Sequence, residues 1–239
     1  MSVVAPVLDE AANLAPLVET VRAALEGRFD WELVLVDDGS RDGSPEVIRD
    51  LAARDSRVVG VLQPGHRGQT TAVGVGVAHA RGELVATIDA DLQNDPRDLW
   101  ALWQALGDHD AAVGYRVKRR DTLVRRLSSR IANAVRNRLT GDQVRDTGCS
   151  LKLFRREAIG AIPLFEGMHR FLPTLLRMHG FSVVEHPVSH HPRQRGRSKY
   201  GIRNRLLRSL VDLFAVRWMR SRALPRRESP TVVGGRGPR

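Results

Sequence analysis

The chain has 239 residues, 42% of them apolar and 27% charged, which is enough for one full α/β core with or without an appendage. Its one cysteine, Cys149, excludes an internal disulfide and a cysteine-built zinc site, and fits a reducing compartment. The net charge of +11 divides unevenly: residues 1–115 hold 9 Lys+Arg against 19 Asp+Glu, a net of −10, and residues 116–239 hold 29 against 8, a net of +21. The first half therefore reads as a holder of cations. The second reads as a surface for anions, with nucleic acid, anionic lipid and phosphorylated substrates as candidates. Met1–Pro6 has no basic segment and meets Asp9-Glu10 too early for a signal peptide. No apolar run approaches the ~18 residues of a membrane span. The expectation is a cytoplasmic protein, peripheral at the inner face of a membrane.

In chain order, a first strand is expected at Ser2–Pro6, and the loop Pro6-Val7-Leu8-Asp9-Glu10 puts a carboxylate at its exit. A helix over Ala12–Leu25 leads to a strand at Trp31–Asp37. Asp37-Asp38-Gly39-Ser40 then has two readings: an ordinary Asp-Gly turn, or a carboxylate able to accept from a nucleobase imino N–H. Ser44-Pro45 predicts a helix start, hydroxyl cap then proline, for a helix over Pro45–Ala53. A strand at Arg57–Gln63 precedes Gly65-His66-Arg67-Gly68-Gln69 and a helix over Gln69–Ala80. This glycine-rich entry lacks the Lys-Ser/Thr of a phosphate loop, and close packing of Gly74 and Gly76 is favoured over a phosphate cradle.

The next strand, Leu84–Asp89, ends in Asp89-Ala90-Asp91-Leu92-Gln93. Carboxylates at i and i+2 of a strand point to one side and repel unless a cation or proton lies between them. Mg²⁺ is usually held by one or two carboxylates plus substrate phosphates. A metal–diphosphate site and a solvated loop are the two readings of the pair. A helix over Pro96–Leu106 and a strand at Ala111–Tyr115 complete this half. Short continuous apolar strands alternating with helices predict a doubly wound, mostly parallel α/β sheet. Ligands bind such sheets at the strand carboxyl ends, so Asp37-Asp38 and Asp89/Asp91 are expected to face one crevice.

The basic half begins with a long helix carrying Leu123, Leu127, Ile131, Val135 and Leu139 on one stripe. A strand at Leu151–Phe154, a small helix, a helix near Phe171–His179 and a strand at Val183–His186 follow. Adjacent His190 and His191 point to opposite sides, which argues against joint ligation of a metal. Arg195-Gly196-Arg197-Ser198-Lys199-Tyr200 has the mobility, charge and hydroxyl of a phosphate-clamping lid. An amphipathic helix over Ile202–Arg222 mixes Leu, Phe and Trp with arginine and has two readings, lying in a membrane interface or packing on the domain. Residues 223–239 read as disordered. The expected organisation is 1–115 and 116–200 as the acidic and basic halves of one domain, 201–222 as an interfacial helix and 223–239 as the tail.

Six segments stand in one order: Pro6…Glu10, Asp37–Ser40, Asp89–Gln93 with Asp95-Pro96, Gly114-x-Arg116, Asp146-Thr147-Gly148-Cys149 and Gly196-x-Ser198-Lys199-Tyr200. This order resembles the inverting family-2 glycosyltransferases of the GT-A fold, most of all the branch that loads sugars onto dolichol or polyprenyl phosphate. The resemblance implies a nucleotide diphosphate sugar as donor, GDP-mannose first, and a polyprenyl phosphate as acceptor, with Mg²⁺ or Mn²⁺; it makes 1–115 the nucleotide-sugar half and 116–200 the acceptor half of the same domain. UDP-glucose, UDP-N-acetylglucosamine and a saccharide hydroxyl acceptor are its alternatives. By resemblance, Pro6, Leu8, Glu10 and Asp37 bind the nucleotide, and Asp89, Asp91 and Gln93 hold metal and diphosphate. Arg116 and Arg130 meet the acceptor phosphate, Arg197 and Lys199 close over the donor, and Asp146 lies beside the reaction centre. Asp91, Asp146 and Arg116 are the expected catalytic set. Leu8 replaces a familiar aromatic and Asp9 a familiar Asn. Many relatives carry membrane helices, so attachment here falls to the amphipathic helix or to a separate membrane-protein partner. A sugar nucleotidyltransferase shares the fold and metal need but consumes a nucleoside triphosphate. A nucleic-acid module fits the +21 half but not the acidic crevice or the few aromatics.

Overall fold

Strands that are apolar along their whole length are expected to be buried on both faces; the computed structural model bears this out for the central runs Ser2–Val7 and Glu32–Asp37, while the edge run Val58–Leu62 is partly exposed. The structure describes residues 1–117, 138, 144–163, 165–192 and 202–223, the side chains of 202–210 excepted. Seven strands form one sheet: β1 (Ser2–Val7), β2 (Glu32–Asp37), β3 (Val58–Leu62), β4 (Leu84–Thr87), β5 (Ala111–Arg116), β6 (Lys152–Arg155) and β7 (Val183–Val188). Their order is β3-β2-β1-β4-β6-β5-β7, and β6 alone runs against its neighbours. The helices are α1 (Ala11–Leu25), α2 (Ser44–Arg54), α3 (Gln69–His79), α4 (Asp98–Leu106), α5 (Arg156–Gly160), α6 (Leu172–Met178) and α7 (Ile202–Arg222), with a 3₁₀ turn at Met168–Arg170.

The period-2 alternation of strand side chains splits the core in two. Val3, Ala5 and Val7 of β1 pack with Leu14, Leu17 and Val21 of α1 and with Leu99 and Leu102 of α4. On the other face Val4, Val34 and Val36 meet Ala72 of α3, Leu172 and Leu175 of α6, and Leu213 and Val216 of α7. The final helix therefore packs on the domain. Its Val211, Phe214 and Trp218 are 68%, 61% and 64% exposed on another side.

Close approach of α3 to the sheet depends on Gly76. A Cβ there would lie 2.2 Å from Val4 Cγ1 and 3.1 Å from Val36 Cγ2. The small-residue reading of this helix holds. Gly76→Ala is expected to destabilise by roughly 1–3 kcal/mol through overpacking, despite alanine's better helix propensity. A denaturant midpoint at or above that of the wild type would contradict it.

Two local expectations are corrected. Ser44 does not cap α2: it lies inside the helix, and its Oγ accepts from the Glu10 backbone N–H at 3.0 Å. The loop after β1 needed a partner more than the helix needed a cap. β4 stops at Thr87, short of Asp89. Ile88 still donates to the Val4 carbonyl at 3.0 Å, but the chain then turns and Leu92 takes a positive φ of 60°. Asp89 and Asp91 thus sit on the loop leaving the strand, and strand alternation is not what sets their directions.

Candidate active site

The sheet order reverses between β1 and β4. From β1 the chain winds outward through β2 and β3, and then returns to begin the other half at β4. At such a switch point the loops leaving adjacent strands part and open a crevice at their carboxyl ends. The loops after β1, β2, β4 and β5 all emerge at this end, with the loop that enters β6 beside them.

The loop after β2 fixes the first functional carboxylate. Asp37 is 2% exposed, and its Oδ2 accepts the N–H groups of Gly39 and Ser40, each at 3.1 Å. Its Oδ1 is buried with no hydrogen-bond partner among the described residues. A buried acceptor of this kind is costly unless a ligand donor meets it. Gly39 has a positive φ of 76°, and a Cβ there would lie 2.4 Å from the His66 backbone nitrogen. Only glycine lets the two loops come so close.

Asp38 has a different fate from its neighbour. Its Oδ1 accepts from Arg67 N at 2.7 Å, Gly68 N at 3.1 Å and Gln63 Nε2 at 3.2 Å, and its Oδ2 accepts from Gly68 N at 2.9 Å. His66 Nδ1 adds a contact of 2.8 Å to Oδ2. Asp38 therefore ties down the glycine-rich loop rather than facing the crevice as expected. The amide groups that might have held a phosphate are spent on it. Asp9 staples the first loop to the second: its amide donates to Ser40 Oγ at 2.8 Å and its Oδ1 accepts from Arg41 N at 2.6 Å. Leu8 lies half-buried in the same loop. Glu10 Oε2 accepts from Asn13 Nδ2 at 2.6 Å.

At the end of β4, Asp89 Oδ1 accepts from Gln69 Nε2 at 3.0 Å. Burial, and next the charge of Asp91, push the Asp89 carboxyl above the usual carboxylate range; a Ser150 hydrogen bond and the charges of Lys152 and Arg116 oppose them. Asp91 is 7% exposed and its Oδ1 accepts from the Gln93 amide at 3.1 Å. Gln93 reaches across to the end of β7. Its Nε2 donates to the His191 carbonyl at 3.3 Å, and its own carbonyl accepts from His191 N at 2.8 Å. His191 also approaches Asp95 at 3.5 Å.

Two like charges drawn together in a partly desolvated loop form a donor set suited to a hard cation with oxygen ligands. Among the described residues no group of three or more acidic, His or Cys side chains could hold a metal alone. Two carboxylates completed by substrate phosphates are the arrangement that fits.

Across the crevice Arg116, at the end of β5, forms a fork-to-fork pair with Asp146. Nε meets Oδ2 at 2.7 Å and Nη2 meets Oδ1 at 2.9 Å. The Arg116 amide reaches Oδ2 at 3.3 Å and the Gly148 amide reaches Oδ1 at 3.0 Å. These four bonds fill the roughly four acceptor positions of a carboxylate. A Cβ at Gly148 would lie 2.9 Å from Arg116 Nη2, so a side chain there would push on the guanidinium. A guanidinium has five N–H donors, and the pair with Asp146 takes two.

Sequence reasoning missed the floor of the site. A cavity of about 130 Å³ lies beyond Asp89, lined by Pro6, Gln69, Asp89 and Lys152 among others, and by His169 and Arg170 of the 3₁₀ turn. Lys152 is 3% exposed and donates to the Cys149 carbonyl. Burial lowers its pKa against the raising effects of Cys149, Asp89 and Asp146. The readable signal was a lysine between Leu151 and Leu153 in an otherwise apolar run, because lysine is almost never fully buried unless paired. His169 and Arg170 gave no comparable signal. Of the expected site residues, Pro6, Asp89, Asp91, Gln93, Arg116 and Asp146 meet around this crevice, with Asp37 at the mouth of β2. Arg130, Arg197 and Lys199 lie outside the described residues.

The model of glycosyl transferase family 2 matches residues 2–162. The chain is 39% identical over 233 residues to a dodecaprenyl-phosphate galacturonate synthase of Rhizobium johnstonii, covering 94% of this chain and 69% of that protein. It is 39% identical over 216 residues to an undecaprenyl-phosphate 4-deoxy-4-formamido-L-arabinose transferase of Edwardsiella ictaluri, covering 89% of this chain and 66% of that one. The chain thus spans about two thirds of the length of these curated relatives. Among solved structures, a mannosyltransferase from Pyrobaculum calidifontis in complex with GDP-mannose and Mn²⁺ superposes with a TM-score of 0.65 at 25% identity, over 90% of this chain and 62% of that one. A glucosyl-3-phosphoglycerate synthase from Mycobacterium tuberculosis, with Mn²⁺, UDP and phosphoglyceric acid, gives 0.68 at 20% identity over 92% and 77%. The sheet order and these superpositions agree with the GT-A expectation.

Proposed function

The chain belongs to glycosyl transferase family 2, and from that premise we propose that it moves a sugar from a nucleotide diphosphate donor to a polyprenyl phosphate with inversion of the anomeric centre. The observation that carries the acceptor is the saturation of Asp146. A sugar hydroxyl needs a base to take its proton, and the carboxylate nearest the reaction end already accepts four hydrogen bonds. A phosphate oxygen is anionic at neutral pH and needs only positioning. Arg116, held rigid by Asp146, supplies a fixed cation for it, and Arg130 is proposed as its companion.

The donor follows from the other wall. The unpartnered Asp37 Oδ1 suits a nucleobase N–H. Pro6, Leu8 and Glu10 line the same end of β1 and complete the proposed nucleotide site. Asp89 and Asp91, with Gln93, would hold Mg²⁺ or Mn²⁺, which when bound would supply Lewis-acid stabilisation of charge on the departing diphosphate. Asp146 keeps Arg116 in line, Gln69 orients Asp89, and Arg197 and Lys199 are proposed to share the leaving-group charge. GDP-mannose is supported by the Pyrobaculum fold-mate, and UDP-sugars remain the alternative.

The acceptor lipid places the enzyme at a membrane surface, and α7 offers the contact. Among the described residues no helix is long and apolar enough to cross a membrane. Val211, Phe214 and Trp218 lie at i, i+3 and i+7 and share one exposed stripe, with Arg217, Arg220 and Arg222 exposed beside it. Replacing Phe214 and Trp218 together with Ser is expected to weaken binding to anionic vesicles by at least about tenfold, from the lost apolar burial. The buried face, Leu213 and Val216, is untouched, so cooperative unfolding should be retained. Undiminished vesicle flotation would move the membrane contact elsewhere.

The reaction is tested by incubating the protein with a panel of nucleotide sugars, a short-chain polyprenyl phosphate and Mg²⁺ or Mn²⁺. Lipid-linked sugar is the expected product. Transfer to soluble saccharides with none to the lipid phosphate would replace this acceptor by a hydroxyl.

A further inference from the structure

The wall of the cavity beyond Asp89 is braced from behind by α7. His169, Arg170 and Leu172 line the cavity from the 3₁₀ turn and the start of α6. Arg170 Nη2 donates to Asp212 Oδ2 of α7 at 3.0 Å, and both side chains are partly buried. Leu172 belongs to the same buried cluster as Leu213 and Val216 of α7. Gly167, with a φ of 89°, leaves room for the ion pair, since a Cβ there would lie 2.7 Å from Arg170 Nη2 and 2.8 Å from Asp212 Oδ2. On its other side the turn is tied to α3. Thr70 Oγ1 accepts the Gly167 amide at 3.0 Å and lies 2.9 Å from His169 Nδ1. Gln69, one residue before Thr70, also lines the cavity and donates to Asp89. The turn is thus clamped between α3, which reaches Asp89, and α7.

Asp212 is out of character for its helix. Residues 202–222 hold six arginines and this one acidic residue. On a helix that meets an anionic surface a carboxylate weakens the attraction, so its presence calls for another use. Its place supplies one. Asp212, Leu213 and Val216 turn towards the domain, while Val211, Phe214 and Trp218 are exposed on the other side. The same turns of helix therefore carry the lipid-facing stripe outward and the support of the cavity wall inward. Whatever fixes the roll of α7 about its axis also fixes Asp212, and through it Arg170.

We propose that Asp212 is a positioning residue of the active-site cavity, acting through Arg170, and that seating α7 on a lipid surface orders the cavity wall. This rests on the membrane reading of α7 above and carries it inward to the site. A surface that restrains α7 meets in advance part of the entropy cost of ordering the turn at residues 167–170, and the linkage runs both ways. The wall is then ordered where the lipid acceptor is found.

Hydrogen exchange on the full chain tests it, with and without vesicles of phosphatidylglycerol and phosphatidylcholine that contain no polyprenyl phosphate. In the wild type, vesicles are expected to slow exchange in α7 and, by at least about fivefold, in the segment 167–178. Asp212→Ala should keep the slowing in α7, whose apolar stripe is intact, and lose it in 167–178. Asp212→Glu should restore it. Arg170→Met cuts the same link from the other end, so adding Asp212→Ala to it should change the vesicle response no further. If the ion pair merely pins α7 to the domain, Asp212→Ala speeds exchange in α7 without vesicles and leaves the response of 167–178 in place, and that result overturns the proposal. Slowing confined to α7 in the wild type overturns it too, while the membrane reading stands. Vesicles that slow neither segment sink both.

Discussion

Asp91→Ala is expected to lower kcat/KM for lipid-linked product by roughly a thousandfold, the several kcal/mol that metal stabilisation of a leaving group supplies. The same substitution should cost the fold little. Asp91 accepts a hydrogen bond from the Gln93 amide, which is worth about 1 kcal/mol. Against that loss stands a gain, because the charge of Asp91 helps raise the pKa of the Asp89 carboxyl and is repulsive until a cation arrives. In metal-free protein the variant should therefore unfold at a temperature close to the wild type's. The difference appears on adding Mn²⁺ with a nucleoside diphosphate. Wild type should be stabilised by mass action and the variant should not. A structural role for Asp91 predicts the reverse pattern, a lower melting temperature with the metal response intact. Full turnover by Asp91→Ala would remove Asp91 from the metal site.

The parts of this site that could be read from the sequence are those where local chemistry and topology agree. Apolar runs ending in carboxylates placed Asp37 and Asp89 at strand ends, since a parallel strand buried on both faces tolerates charge only where it leaves the sheet. Asp37 and Asp38 show where such reading stops. Adjacent, identical in type and both buried, one presents an orphan acceptor and the other is consumed by the loop of Gly65–Gln69. The distinction lies in a tertiary contact 25 to 30 residues away, which no local pattern encodes. The antiparallel insertion of β6 was equally hidden, because nothing within Lys152–Arg155 encodes the direction in which the strand runs. Through that insertion Lys152 enters the site. His169 and Arg170 arrive from a turn whose sequence has no strand or helix period. Helix α7 was legible in extent but not in attachment. Leu213 and Val216 go inward while Phe214 and Trp218 go outward, so the choice between packing on the domain and facing a membrane was never exclusive.

Arg116 and Asp146 provide the sharper division between binding and base chemistry. The side chains are 14% and 10% exposed, so each relies on the other for compensation. Arg116→Met should abolish transfer and also destabilise the chain by about 3–5 kcal/mol, since it strands a buried carboxylate. Its inactivity alone therefore says little. The informative comparison adds Asp146→Leu to it. The double variant removes the stranded charge and should recover much of the lost stability, while transfer stays absent because the phosphate has lost its cation. Asp146→Asn separates the two roles of the carboxylate. An amide in the same place keeps its shape and one acceptor oxygen, so Arg116 loses orientation but not charge. If Asp146 only positions Arg116, transfer should fall by about one to two orders of magnitude, mostly through a higher KM for the lipid phosphate, with the pH profile of kcat unmoved. If Asp146 takes a proton from the acceptor, kcat should fall by up to about 10⁴-fold and the acidic limb of the profile should disappear. The four bonds that already fill its oxygens argue for the first outcome. A vanished acidic limb would reopen the hydroxyl acceptor.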